Sequence, residues 1–236
     1  LFSYIVLLFC TMNHNCSFCE HKSAAALKLS EQELATQSAN CLTVRFKKND
    51  NIIRQGTYST NVAYLKSGLV KIHIEGPYHT QVVRIVKPRN YLGLPTTFGD
   101  KINQYSVSAI EESEVCFIDI AVFRELLGRN PAFSNQILVE LCRSELESYQ
   151  KCVNRTQKQV RGKIADVLLD FSENIYHSDS FQLLITQEDI GNLVDATRES
   201  VSRVWAELIK DGVIGSDGKQ VTIINKEALR NMSRLG

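Results

Sequence analysis

The hydrophobic period changes twice along this chain of 236 residues, and that change limits its fold more than any other feature. From about residue 42 to residue 120, short runs rich in Val, Ile and Leu are separated by turn residues, and Val70, Ile72 and Ile74 alternate with polar neighbours. Many short strands with regular turns indicate an antiparallel barrel or a double-sheet jelly roll. The hydrophobic fraction of 44% excludes a disordered chain.

The pattern becomes helical after residue 120. Residues 121–131 predict a short helix that ends at Gly128 and Pro131, and residues 137–176 contain no proline and only one glycine, Gly162. Apolar residues recur at helical spacing in the first half of the second stretch, which predicts a long helix with an apolar stripe. Another amphipathic helix follows in the same stretch.

The last sixty residues combine short helices with strands. Thr186, with Asp189 three residues later, is typical of a capping box at the start of a helix. Thr197 caps a second helix that stops at Gly212, and Asp217-Gly218 marks a hairpin. Two helices joined by a tight turn and followed by a hairpin predict a winged helix-turn-helix, whose second helix enters a DNA major groove.

The second helix of this pair has one apolar and one polar face. At about 100° per residue, Ser202 and Arg203 lie on the same side as Glu199, with the small Ala206 between them. Arg bonds bidentately to guanine, Glu accepts from the cytosine amino group, and Ser serves either role. The polar face is therefore a candidate for reading base edges. The opposite face consists of Val201, Val204, Trp205 and Leu208.

Charge gives a local signal for nucleic acid and no global one. Lys and Arg total 27 against 26 Asp and Glu, so the net charge of +1 favours no class of partner. A basic run without acidic residues lies between Ser148 and Ala165, and it suits phosphate contact as well as a solvated helix end. The run comprises Lys151, Arg155, Lys158, Arg161 and Lys163.

A β-barrel followed by a long helix and a winged helix resembles the Crp–Fnr superfamily of bacterial transcription regulators. The resemblance extends from about residue 14 onward and is closest in residues 186–214, TQEDIGNLVDATRESVSRVWAELIKDGVI. It implies an α+β protein with an N-terminal double-stranded β-helix (a jelly roll of the cyclic-nucleotide-binding type) as sensor, a long dimerisation helix, and a C-terminal winged helix-turn-helix. We predict a cysteine-containing segment over 1–29, the sensor over 30–130, the dimerisation helix over 131–155 and the DNA-binding domain over 156–236.

Glu199, Ser202 and Arg203 resemble the E-x-x-S-R recognition element of the fumarate–nitrate reduction regulator branch. In that branch the three side chains read a TTGAT-type half-site, so the resemblance implies the same role here. Four flanking residues are expected to contact DNA as well: Thr186, Gln187, Thr197 and Arg198. The resemblance also implies a homodimer on palindromic double-stranded DNA, contact with RNA polymerase, no membrane partner and a cytoplasmic location.

The long helix is where the superfamily dimerises. One track along it follows the 4-3-4-3 spacing of a coiled-coil seam, which the charge of Glu145 interrupts. The track comprises Leu138, Cys142, Glu145, Tyr149 and Cys152. The interruption suits a dimer that forms conditionally, and the alternative is a helix packed only on its own barrel. Cys142 and Cys152 are interpreted as packing residues because free cysteines are commonly buried.

The cyclic-AMP-binding members of the superfamily carry a Gly-Glu pair and, further on, an Arg-Ser or Arg-Thr pair, which hold the ribose and the cyclic phosphate. The matching places in this chain read Gly93-Leu94 and Gln104-Tyr105. The carboxylate and the guanidinium are both missing, and burying a phosphate without a positive partner is costly. We therefore expect no cyclic AMP.

Seven cysteines are too dilute for a disulfide scaffold and favour metal or redox chemistry in a reducing compartment. The oxygen-sensing branch of the superfamily holds a 4Fe–4S cluster on three N-terminal cysteines and one barrel cysteine, so the resemblance implies Cys16, Cys19 and Cys116 as ligands. The usual third N-terminal ligand, six residues after the pair, is replaced by Ala25. Cys10 or Cys41 is the candidate fourth ligand, and His14 and His21 lie close by.

Residues 1–10, LFSYIVLLFC, form an apolar run that is too short to span a bilayer and lacks the basic region of a secretory signal. We interpret residues 1–11 as an extension that need not be native, with Met12 as an alternative start. A start at Met12 removes Cys10 and leaves Cys41 as the fourth ligand.

Two enzyme classes compete with a regulator. A metal-dependent, cupin-like jelly-roll enzyme requires clustered His and carboxylate ligands, but His73 and His79 lack the His-x-His spacing, and the winged helix would have no role. A thiol oxidoreductase built on Cys16 and Cys19 requires a βαβ setting, but a helix follows the pair. The sequence favours a regulator that is not an enzyme.

Overall fold

The computed structural model describes residues 16–236. These residues divide into two compact units, the first formed by residues 16–77 and Val83–Arg143 and the second by Tyr78–Val82 and Ser144–Gly236. The predictions for the apolar N-terminal run, Cys10, Met12 and His14 lie outside the described residues. From residue 16 onward, every helix is too short or too polar to cross a membrane.

Eight strands between residues 41 and 119 form two antiparallel four-stranded sheets, with the orders β1-β8-β3-β6 and β2-β7-β4-β5. Their bounds are β1 Cys41–Phe46, β2 Asn51–Ile53, β3 Asn61–Ser67, β4 Val70–Glu75, β5 Thr80–Val86, β6 Asn90–Leu92, β7 Ser106–Ala109 and β8 Ser113–Asp119. The non-sequential order of the strands is that of a jelly roll, and this prediction is confirmed.

Burial along the strands follows the alternation of the sequence only where one sheet face is covered. In β4, Val70 and Ile72 are buried, whereas Ile74 near the strand end is 36% exposed. In β3 both faces are covered, so the residues from Val62 to Leu65 are all buried. Strands β2 and β6 have three residues each, and so short a run carries no periodic signal.

Three helices and the start of a fourth complete the first unit, with bounds α1 Glu31–Ala39, α2 Leu94–Phe98, α3 Ile120–Arg129 and α4 Pro131–Gln157. Helix α3 continues through Gly128, and the extended residue Asn130 separates it from α4. Pro131 begins α4 because proline needs no hydrogen-bond acceptor for its nitrogen in the first helical turn. The long helix therefore starts six residues earlier than its apolar stripe indicates.

The second unit contains four further helices and a three-stranded antiparallel sheet of order β10-β11-β9. The bounds are α5 Val160–Asp170, β9 Ser180–Gln182, α6 Gln187–Val194, α7 Arg198–Lys210, β10 Ile214–Asp217, β11 Gln220–Ile223 and α8 Lys226–Leu235. Helix α5 packs on α6, α7 and α8, and α7 packs on β10. This arrangement is a winged helix-turn-helix, as predicted.

The core of the second unit is built from the apolar face of α7. Val201, Val204, Trp205 and Leu208 are all buried, as the helical arithmetic predicts. Full burial of a large apolar side chain stabilises a fold by roughly 1.5–3 kcal/mol. Packing of this one face therefore fixes which side of α7 remains in contact with solvent.

Candidate DNA interface and thiol pocket

Helix α6 is capped at its start and ends in a tight turn toward α7. At the start of α6, Thr186 Oγ1 accepts from the Asp189 backbone N–H at 3.0 Å, and the Asp189 carboxylate accepts from the Thr186 backbone N–H at 3.0 Å. Helix α6 ends at Asp195 with a positive φ of 56°. A Cβ on Gly191 would lie 2.6 Å from the Ala196 carbonyl oxygen, so this close approach requires glycine.

Helix α7 begins with two polar groups that orient each other. Thr197 Oγ1 accepts from the Ser200 backbone N–H at 3.2 Å and caps the helix. Interactions with its own backbone N–H and with the Thr197 side chain lower the pKa of Glu199. Glu199 is therefore held as a charged acceptor at the end of the helix that enters a groove in this class of fold.

The polar face of α7 presents Glu199, Ser202 and Arg203 to solvent. Arg203 makes no side-chain pairing within the described part of the chain, so its guanidinium is available to a partner. Of the flanking residues, Thr186, Thr197 and Arg198 are exposed and Gln187 is half-buried. Thr186 and Thr197 use their hydroxyls to cap helices, which leaves only their remaining hydrogen-bonding capacity for DNA.

The basic run before and within α5 is partly neutralised by acidic residues from outside it. Lys158 Nζ lies 2.7 Å from Asp166 Oδ2, and Arg161 Nη2 lies 2.6 Å from Asp211 Oδ2. The sequence shows no acid inside the run, but the fold supplies two. The interpretation of all five basic residues as one phosphate-binding run therefore holds at most for Lys151, Arg155 and Lys163.

In the first unit, four cysteines line one small cavity of about 30 Å³. They are Cys16, Cys19, Cys41 and Cys116. Cys16 begins a short 3-10 turn, Cys41 begins β1, and Cys116 lies buried in β8. The fold thus brings together the three predicted cluster ligands and one of the two candidates for the fourth.

Three of these thiols influence one another's pKa, and Cys41 interacts with both of the others. The hydrogen bond with Cys41 lowers the pKa of Cys16 to about 6, although burial opposes this shift. The bond with Cys41 likewise lowers the pKa of Cys116, and Thr43 Oγ1 lies 3.4 Å from Cys116 Sγ. The pKa of Cys41 is raised, because its proton is shared with Cys116 and Cys16. Thiolates are the form of cysteine that binds metals.

The segment that carries Cys16 and Cys19 is held to the barrel by hydrogen bonds. Tyr64 of β3 donates to the His21 carbonyl oxygen at 2.6 Å, and Ser23 Oγ lies 2.8 Å from Tyr91 Oη of β6 in a buried pair. Cys16 donates its backbone N–H to Ser38 Oγ of α1 at 2.6 Å. These bonds place the N-terminal cysteines beside the strand cysteines.

Sequence reasoning missed two residues of the pocket, Lys22 and Gln37. Lys22 lines the cavity, and its charge contributes to the lowered pKa of Cys16. Gln37 lies on the buried face of α1 and also lines the cavity. Its side-chain oxygen has no hydrogen-bond partner among the described residues. The three-residue spacing of Leu34 and Gln37 on the buried face of α1 was the available signal.

The pocket has the donor chemistry of a thiolate-bound cofactor, without a preformed coordination shell. From residue 16 to residue 236, no three His, Cys, Asp or Glu side chains are arranged to hold a metal ion as they stand. Four thiols and the unpartnered Gln37 oxygen nevertheless surround one space. The residues therefore fit a soft-ligand group such as an iron–sulfur cluster in their chemistry.

At the place where relatives hold a cyclic nucleotide, this chain has apolar and aromatic groups. Leu94 is buried at the start of α2. Tyr105 is half-buried, and its burial raises the pKa of its hydroxyl, while the Gly93 backbone and the Thr96 side chain oppose this shift. Gln104 donates its side-chain amide to Asp100.

The outer face of α4 carries its two cysteines. Cys142 and Cys152 were interpreted as helix-packing residues, and both are exposed in the single chain. Leu138, Leu146 and Tyr149 on the same helix are 58%, 66% and 59% exposed. Their own chain therefore does not bury them, and packing of these cysteines stays a prediction for the dimer, because a helix stripe at coiled-coil spacing need not be covered by its own chain.

Comparison with known proteins agrees with this architecture. Residues 43–130 match the cyclic nucleotide-binding domain, and residues 162–232 match the Crp-like helix-turn-helix domain. The regulatory protein HlyX of Actinobacillus pleuropneumoniae is 27% identical over 229 residues, which cover 93% of each chain. The cAMP-activated global transcriptional regulator CRP of Escherichia coli O157:H7 is 24% identical over 190 residues, 78% of this chain and 90% of that protein.

Solved structures of regulators share this fold. FixK2 from Bradyrhizobium japonicum superposes with a TM-score of 0.75 at 18% identity, covering 81% of this chain and 96% of that chain. A cyclic-nucleotide-binding-type jelly roll, a long helix and a Crp-like helix-turn-helix together define a DNA-binding transcription regulator. The chain belongs to the Crp–Fnr superfamily of such regulators, as its sequence predicts.

Proposed function

We propose that this regulator binds a palindromic, TTGAT-type DNA site and reads its bases with Glu199, Ser202 and Arg203. The observation that carries the proposal is the exposure of these three side chains on one face of α7, whose other face forms the core. Arg203 is suited to guanine, Glu199 to the cytosine amino group, and Ser202 to either kind of edge.

The surrounding residues support contact with the DNA backbone. Thr186, Gln187, Thr197 and Arg198 lie at the first turns of α6 and α7, where backbone N–H groups and helix dipoles favour phosphate. Binding at a promoter would place the protein in the cytoplasm beside RNA polymerase, its proposed further partner. The protein would act there by binding and without catalysing a reaction.

The dimer is proposed to form along α4. The exposed apolar side chains of Leu138, Leu146 and Tyr149 would be buried between two copies, and a two-fold dimer matches a palindromic site. The Glu145 carboxylate accepts a hydrogen bond from the Tyr149 hydroxyl within the same helix. This bond partly satisfies the charge that interrupts the seam. We keep the division into segments 1–29, 30–130, 131–155 and 156–236 as part of this proposal.

The first unit is proposed to sense oxygen or redox state through a 4Fe–4S cluster held by Cys16, Cys19, Cys41 and Cys116. The shared cavity of these four cysteines carries this part of the proposal. Cys41 takes the place of the ligand that Ala25 cannot supply, and Cys10 is not needed. A cluster of this kind supplies oxygen-sensitive redox chemistry when it is bound. Tyr105 and Leu94 argue against cyclic AMP as the effector.

Anaerobic purification followed by iron and acid-labile sulfide assays and a visible spectrum tests the cluster. We expect iron and sulfide in the wild type and in Cys152→Ser, because Cys152 is exposed on α4. We expect their loss in Cys41→Ser. An iron-free, colourless wild type that still binds a TTGAT-type palindrome would end the cluster proposal and leave the DNA proposal standing.

A further inference from the structure

Cys41 shares its cavity with Cys16, Cys19 and Cys116, and the register of the sheet fixes its position relative to Cys116. In the β1–β8 ladder, Cys41 lies opposite Ile118, while Cys116 lies opposite Thr43. Cys41 and Cys116 are therefore diagonal neighbours on one sheet face, and such pairs are about 7–8 Å apart. A disulfide requires Cα atoms within about 6.8 Å. The ladder thus opposes a bond between Cys41 and Cys116.

Cys16 reaches Cys41 from outside the sheet. It starts the 3-10 turn Cys16–Phe18, which has no strand partner, and Cys16 and Cys41 line the same small cavity. This placement is reinforced by the bond from the Cys16 backbone N–H to Ser38, three residues before Cys41. Because the turn is outside the ladder, Cys16 can move toward Cys41 without breaking a strand pair.

Solvent reaches this pair but not the third thiol. Cys16 and Cys41 are half-buried at the cavity, whereas Cys116 is buried in β8. Cys16 and Cys41 both pack on the apolar cluster of the barrel, which keeps them side by side. Cys142 and Cys152 are exposed on α4, ten positions apart, and neither lines this cavity.

We propose that Cys16 and Cys41 form an intramolecular disulfide when the cofactor-free protein meets a hydroperoxide. The two S–H bonds and the peroxide O–O bond break, one Sγ–Sγ bond forms, and the two electrons and two protons convert hydrogen peroxide to two water molecules. The thiols are oxidised and the peroxide is reduced, so no other reactant is needed.

The disulfide prevents the pocket from binding a thiolate-ligated group again. It uses two of the four sulfurs that surround the cavity and ties the N-terminal turn to the start of β1. The protein then takes up no thiolate-bound group until a dithiol reductant reopens the bond. This regulatory meaning rests on the proposed cluster function, whereas formation of the disulfide does not.

Non-reducing peptide mapping of the full-length, iron-free protein tests the bond. The protein is reduced, freed of reductant under anaerobic conditions, treated with hydrogen peroxide and alkylated, and tryptic peptides are analysed by mass spectrometry. We expect a cross-link between peptides 1–22 and 29–45, with fragment ions assigning the bond to Cys16 and Cys41. Dithiothreitol should remove the cross-link and restore uptake of iron and sulfide.

Matched variants separate this pair from its neighbours. Cys16→Ser and Cys41→Ser should each abolish the cross-link, whereas Cys19→Ser and Cys152→Ser should keep it. A link from Cys41 to Cys116, a link that survives in Cys16→Ser, or no link at all would overturn the proposal. DNA binding by each variant verifies that it folds. Because the assay uses iron-free protein, its outcome is independent of whether the anaerobic protein contains a cluster.

Discussion

At the scale of single residues, function depends on side chains that the fold leaves without internal partners. Arg161 and Lys158 are basic residues in a promising run, but each is held by an aspartate of the same unit. Arg203 is exposed and has no such partner within the described residues. A charge that is already paired has less to gain from a phosphate or a base, so Arg203 is the stronger candidate.

Replacing Arg203 by Ala should weaken binding to the TTGAT-type palindrome by about 1–3 kcal/mol and relax the preference at one base pair. The loss reflects the missing bidentate bonds to guanine. Fluorescence anisotropy with the palindrome and with single-base variants measures both effects. Arg234→Ala is the matched control, since Arg234 is exposed on α8 and bonds only to Asn231. Unchanged affinity and preference in R203A would remove Arg203 from base reading.

At the scale of elements, the turn between α6 and α7 shows how local chemistry sets a functional angle. The capping box at Thr186, the positive φ of Asp195 and the close approach at Gly191 all lie within ten residues. The capping box satisfies backbone groups at the start of α6, and Asp195 and Gly191 let the chain turn closely after it. Together they fix where α7 begins relative to α6. The orientation of the polar face of α7 depends on this angle because α6 packs against α7.

Thr186→Ala should lower the free energy of unfolding by about 0.5–2 kcal/mol, because the Asp189 backbone N–H loses its acceptor. Urea unfolding followed by circular dichroism measures the change. Thr186→Ser keeps the hydroxyl and should retain most of the stability. Equal loss in both variants would show that the methyl group, and not the cap, is responsible.

At the scale of the whole molecule, α4 leaves an apolar stripe that one chain does not cover. Leu138, Leu146 and Tyr149 are each more than half exposed, and Cys142 lies among them. Exposed apolar groups at coiled-coil spacing are stabilised when a second helix packs against them. The exposure of Cys142 in the single chain therefore agrees with the proposed dimer, where this residue would lie in the seam.

Leu138→Glu should weaken the dimer by about 100-fold, because roughly 1.5 kcal/mol of apolar burial is lost on each copy. Sedimentation across a concentration series without DNA measures the dissociation constant. Ser148→Glu is the control, since it adds the same charge about 100° around the helix from the stripe. A wild type that stays monomeric in every redox state, or equal effects in both variants, would contradict a dimer on α4.

The sequence by itself determined the order of elements, the winged helix-turn-helix and the exposed polar face of α7. These features follow from local periodicity, capping residues and turns, which act over a few residues and so are visible without a fold. Glu199, Ser202 and Arg203 lie on one face because helical geometry alone puts them there. The sequence did not predict β2 and β6, because a strand of three residues is too short to show a period.

Only the tertiary structure decided which cysteines meet and which basic residues stay unpaired. Cys41 and Cys116 are 75 positions apart, and they face one cavity because strand register in the β1–β8 ladder aligns them. Asp211 neutralises Arg161 across 50 positions in sequence, through the packing of α5 on α7. Such long-range neighbours depend on the register and packing of whole elements, and no local pattern in the chain encodes them.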